Sequence, residues 1–210
     1  MARSCELIIE PNPLDGDVNM SRDAAMLQSA IDENQCSLRF YRWLQPTLSL
    51  GYFQRPEIIP PEFNQLPCVR RLSGGGAILH HHELTYACAI SATHELAGNP
   101  TRIYRVIHDQ IVAVLREFGI DIRRRGHVDN QHHEPFLCFR RHDPHDLVVG
   151  SHKVLGSAQR RRKGAVLQHG SLLLKESEFA SGLPGLLDLA KLEKCPVDVE
   201  RLGQKLSLLL

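Results

Sequence analysis

Gly74, Gly75 and Gly76 follow Arg70-Arg71-Leu72-Ser73, and three consecutive glycines lose enough conformational entropy on folding to need a reason. Without Cβ atoms such a backbone can approach a ligand closely and aim its N–H groups at an acyl carbonyl or a phosphate. A flexible hairpin turn is the alternative, and the triple glycine alone favours it. A Walker loop is excluded, because no Gly-Lys-Ser/Thr follows. Cys138, within Pro135-Phe136-Leu137-Cys138-Phe139-Arg140-Arg141-His142, is a second candidate. A thiolate is a strong nucleophile, and neighbouring cations lower a thiol pKa. Local sequence alone favours a buried cysteine between two apolar neighbours. The third segment runs from Lys153 through Gly156-Ser157-Ala158 to Arg160-Arg161-Arg162-Lys163. Lys153 can donate to a carbonyl or adenylate oxygen in a cleft, and the small residues leave room for a ligand chain. The basic run reads most simply as a solvated turn. Gln168-His169-Gly170 lies in an apolar stretch, where a buried Gln-His pair needs hydrogen-bond partners or a ligand.

The elements that must position these residues follow from periodicity. Residues 21–33 read as a helix capped by Ser21, with Ala24, Leu27 and Ile31 on one face. Residues 38–43 and 47–53 read as strands, and 55–67, with four prolines, as an extended loop. Residues 69–72 lead into the glycines, and 85–91 form a strand. The clearest helix runs from about Arg102 to Phe118, with an apolar stripe over Ile103, Ile107, Ile111, Val114 and Leu115 and Gly119 as its C-terminal cap. Residues 123–145 read as a polar loop. Strands are expected at 146–149, 153–158 and 165–174, and two short helices between Leu186 and Leu210 with a break at Pro196. The result is one α+β domain over residues 1–210, with a single mixed, mostly antiparallel sheet and packed helices.

With 210 residues, 42% hydrophobic and 23% charged, the chain has an ordinary globular composition. A net charge of +1 gives no general drive towards nucleic acid or membrane. The N-terminus has no apolar h-region and no stretch is long enough to span a bilayer, so the expected compartment is the cytoplasm. The six cysteines include no C-x-x-C pair, which argues against structural zinc and a disulfide framework. His80-His81-His82, His127, His132-His133, His142 and His145 show no familiar ligand spacing, so surface loop histidines are expected and no metal.

Four segments in order resemble the cofactor transferase family of lipoate-protein ligases, biotin ligases and octanoyltransferases. Asn19 to Asp23 is similar to its "N-M-A-x-D" helix, and Pro46 to Gln54 to its "P-x-x-S-L-G-x-x-Q" strand. Arg70 to Tyr86, RRLSGGGAILHHHELTY, resembles the family's glycine motif, and Asp146 to Leu174 resembles "D-L-x-x-x-G-x-K-(I/V)-x-G-S-A-Q…LQHGS". One departure is His81, which stands where the family often has Asp. The resemblance implies the biotin/lipoyl ligase fold, similar to class II aminoacyl-tRNA synthetases, without a C-terminal accessory domain. It implies a pocket lined by Arg71, Ser73, Gly74, Gly75, Gly76 and His80, with Gly156, Ser157 and Ala158 as one tunnel wall and Gln168, His169 and Gly170 nearby. Lys153 matches the lysine that contacts the acyl carbonyl.

Two mechanisms fit this resemblance. Cys138 lies where one octanoyltransferase branch carries its nucleophile. It would take octanoyl from an acyl carrier protein and pass it to a lysine of a lipoyl domain, of a 2-oxoacid dehydrogenase or the glycine cleavage H protein, without a cofactor. The alternative is an ATP- and Mg²⁺-dependent lipoate ligase acting through lipoyl-adenylate, with Arg71, Lys153 and Arg160–Lys163 serving the phosphates. Biotin ligation fits less well. A non-catalytic module that binds lipoyl domains or an acyl chain is the reading from a different class. The cysteine route is the expectation taken forward.

Overall fold

The structure, a computed structural model, describes residues 5–127 and 135–210. His132 and His133, expected on a surface loop, lie outside the described residues, as does the start of the N-terminus. In chain order the elements are β1 (Glu6–Ile9), α1 (Gly16–Asp32), β2 (Ser37–Tyr41), β3 (Thr47–Leu50), β4 (Cys68–Arg70), β5 (Ile78–His80), β6 (Glu83–Ile90), α2 (Pro100–Glu117), β7 (Ile122–Arg124), β8 (Leu147–Val149), β9 (His152–Arg162), β10 (Ala165–Leu173), α3 (Leu186–Ala190) and α4 (Val199–Ser207).

Seven strands form one sheet in the order β1-β2-β6-β10-β9-β8-β7. Only the β1–β2 pair is parallel, which gives the mixed, mostly antiparallel α+β sheet expected from the sequence. A second, three-stranded sheet, β4-β3-β5, is added to it. The long strands β6, β10 and β9 make the centre of the seven-stranded sheet, and β6 and β10 are buried on both faces along their whole length. On one face Leu38, Phe40, Val154, Leu155, Val166 and Leu172 pack with Ile103, Ile107 and Leu115 of α2 and Leu202 and Leu206 of α4. On the other, Ala87, Ala89 and Leu167 pack with Met26, Leu27 and Ala30 of α1. The small sheet has its own cluster, in which Leu48, Leu50, Ala77 and Leu79 meet Leu137 and Ala180. Among the described residues no helix is long and apolar enough to cross a membrane.

Several boundaries differ from the periodicity reading. Helix α1 starts at Gly16, not at Ser21, with Asn19 N–H donating to Asp15 O at 2.9 Å. Glycine at position 16 lets this helix end pack closely, because a Cβ there would lie 2.9 Å from Thr47 Cγ2 and 3.1 Å from the Trp43 ring. The proline loop holds two 3₁₀ turns, Pro56–Ile58 and Pro61–Phe63. Arg160 to Arg162 continue β9, and only Lys163 and Gly164 turn, both with positive φ (50° and 81°) as a two-residue hairpin loop requires. Strands β1, β4, β5 and β7, each of three or four residues, were not expected.

A buried charge cluster ties α1 to the sheet. Arg39, 1% exposed, donates to Asp23 Oδ1 at 3.0 Å, Asn19 Oδ1 at 2.7 Å and Glu10 Oε1 at 2.7 Å. Tyr41 donates its hydroxyl to Asp23 Oδ2 at 2.9 Å. Replacing Arg39 with Met would leave buried Asp23 without its arginine, while Glu10 would keep its pair with Arg22. Breaking a buried pair this way should cost about 3–5 kcal/mol, read as a lower urea midpoint; a change below about 1 kcal/mol would show that the cluster is dispensable.

Candidate active site

The glycine loop leaves β4 and enters β5, and its shape is fixed by Arg71. That side chain is 1% exposed and donates to Ser49 O at 2.8 Å, Gly74 O at 2.9 Å and Gly76 O at 2.5 Å. Arg71 therefore folds the loop as well as lining the cavity beside it. Burial pushes its pKa down to about 10, while the charge of Cys138 opposes the fall. Gly75 sits at φ +91°, which suits glycine. Gly51 permits the close approach from below: a Cβ there would lie 2.1 Å from Gly75 O. Since that neighbour is backbone, Gly51→Ala must displace the loop, with an expected loss of about 1–3 kcal/mol in urea unfolding. An unchanged midpoint would mean the loop moves without cost.

Cys138 is brought to this loop by tertiary contacts. Ala77, the residue after the glycines, donates its N–H to Phe136 O at 2.9 Å, and Cys138 N–H donates to Ala77 O at 2.7 Å. The 3₁₀ turn Cys138–Arg140 follows, with Phe139 buried and Cys138 half-buried. A Cβ on Gly75 would stand 3.9 Å from Cys138 Sγ, so the thiol faces the loop. Gly76 makes room for a different neighbour, because a Cβ there would meet Arg141 Nε at 2.5 Å.

Lys153, at the start of β9, is buried beneath the Cys138 segment. Its Nζ lies 2.8 Å from Asp146 Oδ1 and donates to Cys138 O at 3.2 Å and Arg141 O at 3.5 Å. The pair is almost fully enclosed. Burial pushes the Asp146 carboxyl pKa up, and the charge and hydrogen bond of Lys153 oppose the rise. Asp146 Oδ2 also accepts from Asp143 N–H at 2.8 Å. Gly156 serves Lys153 directly, since a Cβ there would lie 2.6 Å from Lys153 Cε.

These groups surround one cavity of about 320 Å³, within the range of small-ligand sites. Cys138, Lys153, Arg71, Gly74, Gly75, Gly76, His80, Gly156, Ser157, Ala158, His169 and Gly170 all line it. Ser73 and Gln168 do not. Ser73 is buried behind the loop, hydrogen-bonded to His169 Nε2, whose Nδ1 lies 3.4 Å from Asp23 Oδ2. Gln168 points to the opposite face of β10 from His169. There it donates to Tyr86 OH at 2.7 Å and accepts from Gln159 at 2.8 Å. The same network joins Tyr86 OH to Ser157 Oγ (2.7 Å) and Ser157 Oγ to His108 Nε2 (2.8 Å), and burial pushes the His108 pKa down to about 4. Gly170 must lack a side chain, because a Cβ would lie 2.3 Å from Ser157 Oγ.

His80 is stacked on Trp43 with centroids 3.8 Å apart, and its two nitrogens meet Ser49 Oγ at 2.7 Å and Glu83 Oε1 at 2.8 Å. Burial lowers its pKa, with Glu83 opposing, and the ring lines the cavity. Met20, Trp43 and Ile78 add apolar lining. The basic run does not line this cavity: Arg160 stacks on Tyr52 at 4.5 Å, Arg161 donates to Ala97 O at 2.7 Å and Arg162 to Gln28 at 3.3 Å. Asp146 and Asp23 were not singled out from sequence, although each stands inside a motif quoted above. Their signal was a carboxylate fixed in order with the lysine or the helix.

The model of the family described as the lipoyl protein ligase A/B catalytic domain matches residues 15–192, and the chain belongs to that family. It is 37% identical over 172 residues to the octanoyltransferase LipM of Oceanobacillus iheyensis, covering 79% of this chain and 63% of the relative. To the octanoyltransferase LipM of Bacillus subtilis it is 39% identical over 175 residues, covering 76% of this chain and 62% of the relative. The chain thus spans under two thirds of the length of these curated relatives. Its fold is similar to that of lipoate-protein ligase A bound with ATP, with a TM-score of 0.71, 22% identity and coverage of 97% of this chain and 83% of that one.

Proposed function

We propose that this chain transfers an octanoyl group from acyl carrier protein to a lysine of a lipoyl domain through a thioester on Cys138. The observation that carries this reading is the placement of the Cys138 thiol against the glycine loop and above the buried Lys153–Asp146 pair, at the edge of a mostly apolar cavity. The named relatives are octanoyltransferases, which agrees with it.

The steps balance without a cofactor. The Cys138 thiolate attacks the carbonyl carbon of the carrier thioester, and the carrier's thiolate leaves and takes a proton. Octanoyl now sits on Cys138. A neutral amine of the acceptor lysine attacks that thioester, an amide C–N bond forms, the C–S bond breaks, and the amine's proton returns the thiol. Thioester exchange is nearly isoenergetic and amide formation is downhill. Lys153 stabilises charge on the carbonyl oxygen by releasing its 3.5 Å contact to Arg141 O, the weakest of its three. The loop held by Arg71 offers backbone N–H groups to the same oxygen. The tail lies along Met20, Trp43 and Ile78, where each CH₂ buried contributes about 0.8 kcal/mol.

Intact mass spectrometry after mixing the protein with octanoyl-carrier protein, without ATP, tests the reading. The expected result is a gain of one octanoyl group. No adduct, together with ATP-dependent labelling of a lipoyl domain by free lipoate, would replace it with the ligase reading. Neither reaction would leave a binding module.

A further inference from the structure

The turn between β5 and β6 carries two histidines that lie outside the acyl cavity. The rings of His81 and His82 stack on each other with centroids 3.6 Å apart. His81 Nδ1 is 3.0 Å from Ser177 Oγ and 3.6 Å from Glu178 Oε2. One ligand atom from each of His81, His82 and Glu178 falls within 4.8 Å of the others, the only such trio of His, Cys, Asp or Glu among the described residues. Sequence spacing gave no hint of it, because Glu178 arrives from nearly a hundred residues away.

The two backbones that present the trio are anchored. His82 O accepts from Leu174 N–H at 2.8 Å and from Lys175 N–H at 3.2 Å. Ser177 O accepts from Ala180 N–H at 2.9 Å, and Glu176 accepts from Gly182 N–H at 2.8 Å. The side chains have more freedom, since Glu178 is 67% exposed and His82 is exposed. A tetrahedral zinc ion with bonds of about 2.0–2.2 Å needs its ligand atoms about 3.3–3.5 Å apart. Stacked rings aim their lone pairs nearly parallel, so binding requires His82 to turn out of its stack on His81 and Glu178 to swing towards them, which their exposure allows.

We propose that His81, His82 and Glu178 form a three-ligand site for a divalent transition metal of the zinc type, with the fourth position open to water. Two imidazoles with one carboxylate suit zinc, nickel or copper, whereas magnesium and calcium prefer all-oxygen cages. The metal ties the 176–183 segment to the β5–β6 turn. That segment packs beneath the Cys138 loop: Ala180 joins Leu137 in one apolar cluster, and Arg140 donates to Ser181 O at 3.2 Å. The inference is independent of the acyl-transfer reading.

The test is titration of the metal-free full chain with Co²⁺ by absorption, and with Zn²⁺ by calorimetry, at neutral pH. One equivalent is expected to bind, with visible cobalt bands and no intense near-ultraviolet thiolate band. His82→Asn and Glu178→Gln, both at exposed positions, should each weaken binding about ten-fold or more. No binding, unchanged affinity in either variant, or a thiolate band that places the ion on a cysteine would each overturn the proposal.

Discussion

Cys138→Ala is expected to retain the fold and lose octanoyl transfer by about 10³-fold or more, the scale seen when a covalent nucleophile is removed. The side chain is half-buried and its fixed contacts are made by backbone, through Cys138 N–H to Ala77 O and Lys153 to Cys138 O. Stability should therefore change little. The acyl-enzyme mass should vanish with the activity. Cys138→Ser is the sharper control, because a hydroxyl preserves the geometry and is a far weaker nucleophile near neutral pH. It should bind donor as the parent does and accumulate little ester. Full transfer by Cys138→Ala, measured as octanoylated lipoyl domain, would remove Cys138 from the chemistry and leave Lys153 and the glycine loop to a direct or adenylate route.

The second large effect is expected at Lys153. Lys153→Met removes the cation that faces a carboxylate 2.8 Å away in an enclosed site. Leaving one partner of a buried pair should cost about 3–5 kcal/mol of stability. Activity should fall as well, since the carbonyl loses its nearby ammonium. The double variant Lys153→Met/Asp146→Asn separates these effects: stability should largely return, because no buried charge is left unpaired, and activity should not. The pH dependence has a defined sign. Burial already raises the Asp146 pKa above its unfolded value and Lys153 opposes the rise, so Lys153→Met should raise it further. A carboxyl with a raised folded pKa favours the native state most below its unfolded pKa. That contribution fades as pH rises through the folded value. Lys153→Met should therefore gain stability relative to the parent as the solution is acidified from neutrality towards the ordinary carboxylate range. Urea midpoints that fall in parallel for both proteins would show that Asp146 is not the group responsible.

The glycine loop illustrates a division of labour between residues that touch a ligand and residues that shape what touches it. Arg71 was expected to line the pocket with its charge. It does line the cavity, and its guanidinium also spends its Nη donors on Ser49, Gly74 and Gly76, so that its hydrogen bonds hold the loop. Gly156 was expected as tunnel wall and also clears the path for Lys153. Small residues and cations in one motif need not act on the same object.

Much of the architecture was legible from local pattern. Helix α2 and strands β6, β9 and β10 follow from apolar periodicity, because each is long enough for one or two buried faces to repeat. The glycine triplet, Cys138, Lys153 and His169 were visible as residue types, and the ordered motifs tied them to one family. Tertiary structure decided the rest. The three- and four-residue strands β1, β4, β5 and β7 exist because distant neighbours pair with them. Ser73 and Gln168 left the cavity for reasons of direction: one lies behind the loop, and the other is one residue, hence one sheet face, away from His169. The motif fixed Asp146 and Lys153 in order but not their contact, which forms across the β8–β9 turn, and nothing local tied Cys138 to Ala77, about sixty residues away. Sequence alone determined which groups this protein has and which strands carry them, because side-chain periodicity is a local property. Which groups face the same cavity was decided only when the two sheets met, because burial and close approach depend on contacts between segments far apart in the chain.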